Sequence, residues 1–432
     1  MHQIQDKQGL IENISGTLQR LANNDNSDIS KRRFAAFEAF KLKGLPGFKN
    51  EAYKYTPITK SLEKNFTFQE GAGSTLSPDK IRNYFIEGLE GNVLVFVNGE
   101  YSEESSIIKS PADQLIVNDF SSLFNGASSL ATEEHADPFE LLNTAMATAG
   151  VSVEVPKGKI LAHPVILYYI SDTHQGKITQ QLKNKLTVGE NAQASVIECY
   201  CGEGENANFS NTSTEIIVKE SAVVDYYKVQ NESPFSIHVD NTSISQQKNS
   251  VFTALTVTLN GSLIRNNLNI AINDEHCEAN MFGLYLLNGK QHVDNQTVVD
   301  HKKPNCLSNE LYKGIIDGNS TGVFNGKIFV RPDAQKTNAF QSNKNILLSD
   351  DATINTKPQL EIWADDVKCS HGATTGQLDE EQLFYLRARG LGKETARAML
   401  LYAFAIDVLD KIKIPALKEY LDKIISGRLQ NY

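Results

Sequence analysis

The feature that most constrains this chain is a turn-and-strand unit that recurs through its middle. Between residues 91 and 373, strand-sized apolar runs alternate with clusters of Gly, Asn, Asp and Ser. The runs include Val93–Val97, Val165–Ile170, Ser195–Cys199, Glu215–Val218, Val223–Tyr227, Val251–Leu259, Leu268–Ile272, Leu284–Leu287, Lys327–Val330 and Leu360–Trp363. Turn-like tetrapeptides begin at Gly189, Lys219, Gln247, Asn273 and Ser349. Adjacent copies lie 26–30 residues apart, with longer gaps later. A period in that range marks a solenoid, in which a coil buries its inner face only by stacking on its neighbours. No long helices separate the strands, which excludes a doubly wound α/β sheet. A parallel β-helix satisfies both facts. A large β-sandwich is the competing reading.

The flanks change period from 2 to 3.6. Residues 1–90 read as mostly helical: Ile4, Leu10, Ile11, Ile14, Leu18 and Leu21 fall near helical spacing. Ser30 is a good N-cap for a helix carrying Phe34, Phe37 and Phe40 on one stripe, stopped at Gly44. A short helix is expected at 137–149, opened by Asp137-Pro138 and closed by Gly150. Residues 379–432 are helical again. Asp379 caps a first helix that Gly390 ends, Glu394–Lys411 forms a second and Pro415 opens a third. Helical domains at the two ends are expected to cover the open ends of the solenoid, which otherwise expose strand edges.

Charge and cysteine content narrow the function. Lys and Arg number 42 against 52 Asp and Glu, a net charge of −10. That balance argues against nucleic acid or anionic membrane as the main partner. No run approaches a membrane span, and the N-terminus shows no secretory pattern. Five cysteines without a regular framework fit a reducing, cytoplasmic setting. The nearest approach to a P-loop, Gly390-Leu-Gly-Lys-Glu394, has Arg387 where the first glycine belongs and Glu394 where Ser or Thr belongs. Rossmann, nucleophile-elbow, His-Glu-x-x-His and Cys-x-x-Cys motifs are absent.

Cys369-Ser370-His371 is the best candidate constellation. On a strand, residues i and i+2 face the same way, so thiol and imidazole project together. Sulfur and nitrogen suit iron, zinc or copper, but two donors cannot close a site. The alternative is a core cysteine and a hydrogen-bonded histidine. Cys199-x-Cys201 shares a face with Ile197 and reads as packing. His276 and Cys277 would point to opposite faces, and Asp300-His301 with Cys306 reads as a solvated loop. Asp350-Asp351 and Asp365-Asp366 could serve a β-helix carbohydrate-active enzyme, although turn carboxylates are the commoner cause. Phe384, Tyr385, Tyr402 and Phe404 could dock a protein or pack on the solenoid.

The stretch from Asp300 to Ala403 resembles the SufD family of iron–sulfur cluster assembly proteins, within the broader SufB/SufD family. The match rests on Asn309-Glu-Leu-Tyr-Lys-Gly-Ile-Ile, Phe324-Asn-Gly-Lys-Ile-Phe-Val, Ala334-Gln-Lys-Thr-Asn-Ala-Phe-Gln, Ala364-Asp-Asp-Val-Lys-Cys-Ser-His-Gly and Phe384-Tyr-Leu-Arg-Ala-Arg-Gly. A weaker match lies at Asn50-Glu-Ala-Tyr-Lys-Tyr-Thr-Pro. The resemblance implies a right-handed parallel β-helix between helical domains. It also implies a non-catalytic scaffold subunit that pairs with a SufB-type paralogue and docks the ATPase SufC. It puts His371 and Cys369 at the subunit seam, sharing iron or a nascent Fe–S cluster with SufB, with no cofactor held stably by the chain alone. It puts SufC docking on Phe384, Arg387, Arg389 and Gly390. Ala352 stands where the SufB branch carries a cysteine, which favours the SufD branch. A homodimeric structural protein using the same strand edge remains a further alternative.

Overall fold

The computed structural model describes residues 2–25, 27–65, 73–124, 136–430 and 432. From Val165 to Leu347, consecutive strands fall alternately into two sheets, and neighbours within each sheet are parallel. Each consecutive pair of strands therefore makes one coil, and the chain winds a β-solenoid of about eight turns. A sandwich built from hairpins would pair consecutive strands antiparallel. That arrangement is confined to the entrance, where Asn92–Val97 pairs Glu100–Tyr101 and Ile116–Asn118 pairs Ala149–Val155. The first sheet runs from this entrance through Val165–Asp172, Gln193–Glu203, Val223–Asn231, Val251–Asn260, Glu278–Leu287, Leu307–Ile316 and Asn338–Leu347 to Lys368–Gly376. The second runs through Ile178–Val188, Asn208–Val218, Ser236–Gln246, Leu263–Ile272, His292–His301 and Thr321–Val330. It ends on the short strands Thr353–Thr356 and Gln359–Ile362.

The repeat has a physical cause at the turns. Asn191, Ser221, Asn249, His276, Asn305 and Lys336 each hold a positive φ between 54° and 61°. Left-handed backbone suits Asn in particular, because its short side chain tolerates the conformation. A small buried residue follows each one: Ala192, Ala222, Ser250, Cys277, Cys306 and Thr337. Cys306 is therefore a rung of an internal ladder, not part of a solvated loop. His301 is likewise buried, with its Nε2 2.9 Å from Ser308 Oγ.

Many strands are polar where the inside of a fold is usually apolar. In Asn208–Val218, Asn208, Ser210, Asn211, Thr212, Ser213 and Thr214 are all buried. Parallel stacking puts similar side chains one above another, so amides bond to the next coil. Asn266 Nδ2, for example, donates to Gln230 Oε1 and Asn295 Oδ1, both at 3.1 Å.

The helical layers lie along the faces of the solenoid and leave its carboxyl end uncovered, contrary to the end-capping expectation. Phe37, Phe40, Phe139 and Leu142 pack on Phe209, Ile237, Val239 and Leu263 of the second sheet's outer face. They come from the helices Ser27–Lys43 and Pro138–Met146. The first of these helices starts one turn before Ser30, whose hydroxyl instead donates to Ala22 O at 2.9 Å. On the other face, Leu401, Ala405, Val408, Leu417 and Leu421 cover Tyr227, Val229, Val257, Leu286 and Ile315. Their helices are Lys393–Leu409 and Pro415–Leu429, and Lys313 pins the first: its ammonium meets Asp407 at 2.5 Å and Phe404 O at 2.8 Å. The Asn50–Thr56 segment is a clamp. Buried Tyr53 lies under the Arg265 guanidinium at 3.7 Å and donates to Asp137 at 2.6 Å, while Arg265 also bonds Asp294 and Ala52 O. Among the described residues no helix is long and apolar enough to cross a membrane.

Candidate functional site

Among the described residues the last strand of the first sheet, Lys368–Gly376, pairs on one side only, with Asn338–Leu347. Its register is Ala339 to Cys369 and Gln341 to His371. In the preceding strand Ala339, Gln341, Asn343 and Asn345 are buried, while Phe340 and Lys344 are exposed. Strand alternation therefore puts Cys369 and His371 on the inner face, where the hollow of the solenoid opens to its end. Cys369 is half-buried against Ala339 and its neighbours, and burial pushes its thiol up. His371, lacking a coil above it, is exposed.

The pair supplies one sulfur and one nitrogen, on residues spaced about 7 Å along the strand. Among the described residues no three His, Cys, Asp or Glu side chains gather into a metal-ligand set. Metal binding displaces a thiol proton, and two donors leave the remaining ligands to come from elsewhere, so this arrangement suits a half-site completed from outside.

The other candidates are elsewhere. Cys199 is buried beneath the carboxyl-terminal helices, with its thiol pushed up by burial, and Cys201 packs beside it. Cys277 and Cys306 stack in the turn ladder, and both thiols lie near Asp274 O, at 3.3 and 3.2 Å. The hydrogen bond from Cys306 pulls the Cys277 thiol down to about 7. His276, one residue before Cys277, is exposed at the left-handed turn position. Asp300 is tied to Arg331 at 2.7 Å, and the two Asp pairs occupy exposed turns.

The helix Glu380–Ala388 presents Phe384 and Tyr385, 72% and 57% exposed, beside exposed Arg387 and Arg389. Arg389 lies over the Tyr385 ring and donates to its hydroxyl at 3.0 Å, and Gly390, at φ 95°, ends the helix. Tyr402 and Phe404 are partly buried against the solenoid, so the four aromatics do not form one surface stripe.

Sequence reasoning missed the buried carboxyls. Glu198 and Asp240 surround Lys228 inside the coils, and Glu310 lies two coils below His371 in the same register column. The available signal was Glu310 itself, an ionisable residue at an inward position between Ser308 and Tyr312.

Two family models cover nearly the whole chain. "SUF system FeS cluster assembly, SufBD core domain" matches residues 169–404, and "SufBD protein N-terminal region" matches residues 5–167. An iron–sulfur cluster assembly SufBD family protein of Synechocystis is 32% identical over 96% of this chain and 93% of its own. The iron–sulfur cluster assembly protein SufD of Escherichia coli is 31% identical, covering 89% and 90%. The chloroplastic protein ABCI7 of Arabidopsis thaliana is 30% identical, over 68% and 64%. With both family regions matched and a SufD aligned along most of its length, the chain belongs to the SufBD family of iron–sulfur cluster assembly proteins and is SufD-like.

Proposed function

We propose that this chain is a non-catalytic scaffold subunit of a cytoplasmic SUF complex. It pairs with a SufB-type chain through the Lys368–Gly376 edge and docks a SufC-type ATPase through its carboxyl-terminal helices. The observation that carries this reading is the placement of two metal donors, Cys369 and His371, on the inner face of a strand whose outer edge has no partner. An unpaired edge adds a strand from another chain through main-chain hydrogen bonds. The same addition brings that chain's ligands opposite His371 and Cys369, where iron or a nascent Fe–S cluster is the cargo. The missing P-loop accords with an ATPase on a separate subunit.

The test is co-expression with a SufB-type and a SufC-type chain, followed by pull-down and iron quantification. The expected result is a three-component complex whose iron or cluster loading falls about tenfold or more in His371→Ala, with folding retained. Wild-type loading by a folded His371→Ala complex would overturn the ligand role. Failure to recover either partner would overturn the scaffold assignment.

A further inference from the structure

A buried polar column rises through the last coils directly beneath His371. Glu310, Gln341 and His371 are successive register partners across three adjacent parallel strands. Glu310 and Gln341 are 4% and 3% exposed. Thr297 donates to one Glu310 carboxylate oxygen at 2.5 Å, and Gln341 Nε2 donates to the other at 2.7 Å. The carboxylate thus fixes which way the Gln341 amide points. With its nitrogen bonded to Glu310, the carbonyl Oε1 is the amide's remaining acceptor. That oxygen is shielded from solvent and has no hydrogen-bond partner. Leaving a buried acceptor unpaired forfeits its hydration without replacement, so it calls for an explanation.

The space around Gln341 is shaped for this pose. A Cβ at Gly326, on the facing sheet, would lie 2.1 Å from Gln341 Nε2. Any larger residue there would displace the amide. The strand beyond Gln341 is the terminal one, and at this register its inward residue is His371. An imidazole N–H on this neighbouring strand is the kind of donor that Oε1 lacks.

We infer that Gln341, held by Glu310, is a positioning residue that accepts the near ring N–H of His371 and so fixes the tautomer whose other nitrogen faces the open end of the solenoid. Metal-ligating histidines generally donate their second ring N–H to an acceptor that sets tautomer and ring orientation. Here the acceptor is an amide, and a carboxylate one coil deeper orients that amide. The functional sense of this arrangement rests on the reading of His371 as a ligand, but the tautomer can be measured without it.

The experiment is 15N-histidine labelling of the full chain and a multiple-bond 1H–15N correlation spectrum at pH 8. The His371 signals are identified by their loss in His371→Ala. The expected result is one dominant tautomer in the wild type. In Gln341→Met and in Glu310→Met the two ring 15N shifts should move toward each other as a mixture appears. The swapped pair, Glu310→Gln with Gln341→Glu, restores an oriented acceptor and should return the single tautomer. A merely structural Gln341 would leave these shifts alone. Unchanged His371 shifts in any folded single variant would overturn the inference, as would a wild-type mixture. If the single variants do not fold, a mixture in the swapped variant overturns it. A shifted tautomer with normal loading in His371→Ala would instead remove the ligand reading and leave the hydrogen bond standing.

Discussion

At the scale of single residues, the inside of this solenoid holds ionisable groups whose worth depends on their partners. Arg265 is 2% exposed, and its contacts are Asp294, the Ala52 carbonyl and the Tyr53 ring. Arg265→Ala strands the buried Asp294 carboxylate and loosens the Asn50–Thr56 clamp. The expected cost is about 3–5 kcal/mol, read by chemical denaturation. A loss below about 1 kcal/mol would mean the clamp is held by packing alone. Glu310 behaves differently because no cation faces it. Burial pushes its carboxyl up to about 7 from an ordinary 4.5. Below about 4.5 the group is protonated in both folded and unfolded chains and costs nothing. As pH rises through 7 the unfolded chain ionises first, and stability falls by on the order of 3 kcal/mol. Glu310→Gln should flatten that part of the stability–pH curve and be the more stable protein at pH 8. Parallel curves for variant and wild type between pH 5 and 8 would show that Glu310 does not titrate in this window.

At the scale of elements, the terminal strand carries both an unpaired edge and the donor pair. Lys368 N donates to Thr337 O across the ladder. In a parallel ladder alternate residues bond the same neighbour, so the N–H groups of Cys369, His371 and Ala373 face the open edge. Ala373→Pro removes one of these without removing a ladder bond, which an edge strand tolerates. Its melting temperature should match the wild type, while capture of the proposed SufB-type partner falls at least about tenfold. Undiminished capture would move the interface off this edge. The strand was only half legible in the sequence. Cys369-Ser-His371 stood out because alternation puts both donors on one face, yet Lys368–Gly376 lacks the apolar pattern of a buried strand. Strands such as Asn208–Val218 were truncated for a related reason. Their polar halves are buried, but their amides and hydroxyls bond to one another between coils, which a pattern of apolar residues does not reveal. The turns were legible because Gly, Asn, Asp and Ser cluster between the strands, with Asn at three of the six left-handed positions.

At the scale of the whole molecule, the two helical layers cover opposite faces and leave the end of the solenoid open. Spacing along the chain could not distinguish a helix that caps an end from one that lies along a face, because both follow the last strand in sequence. The distinction lies in the first sheet's outward residues: Tyr227, Val229, Leu255, Val257, Leu284, Leu286 and Ile315 need a cover, and the carboxyl-terminal helices supply it. Those helices are therefore part of the core, and an ATPase docking on them would act on the body of the solenoid. Polar links also join the layers, among them Lys313 to Asp407, Lys413 to Asp225 and the Lys413 N–H donating to the Tyr227 hydroxyl. A chain ending after Leu378 would lose the helical cover and expose a contiguous apolar face, a recognised cause of association. It should elute as aggregates by size-exclusion with light scattering and bind a hydrophobic dye. Phe384→Ala, on the outward side of the helix Glu380–Ala388, should leave the chain's own size and melting temperature unchanged. A truncated chain that stayed soluble at its monomer mass would make the helices a detachable arm, and motion of a docked ATPase could then no longer be transmitted to the open end through the first sheet.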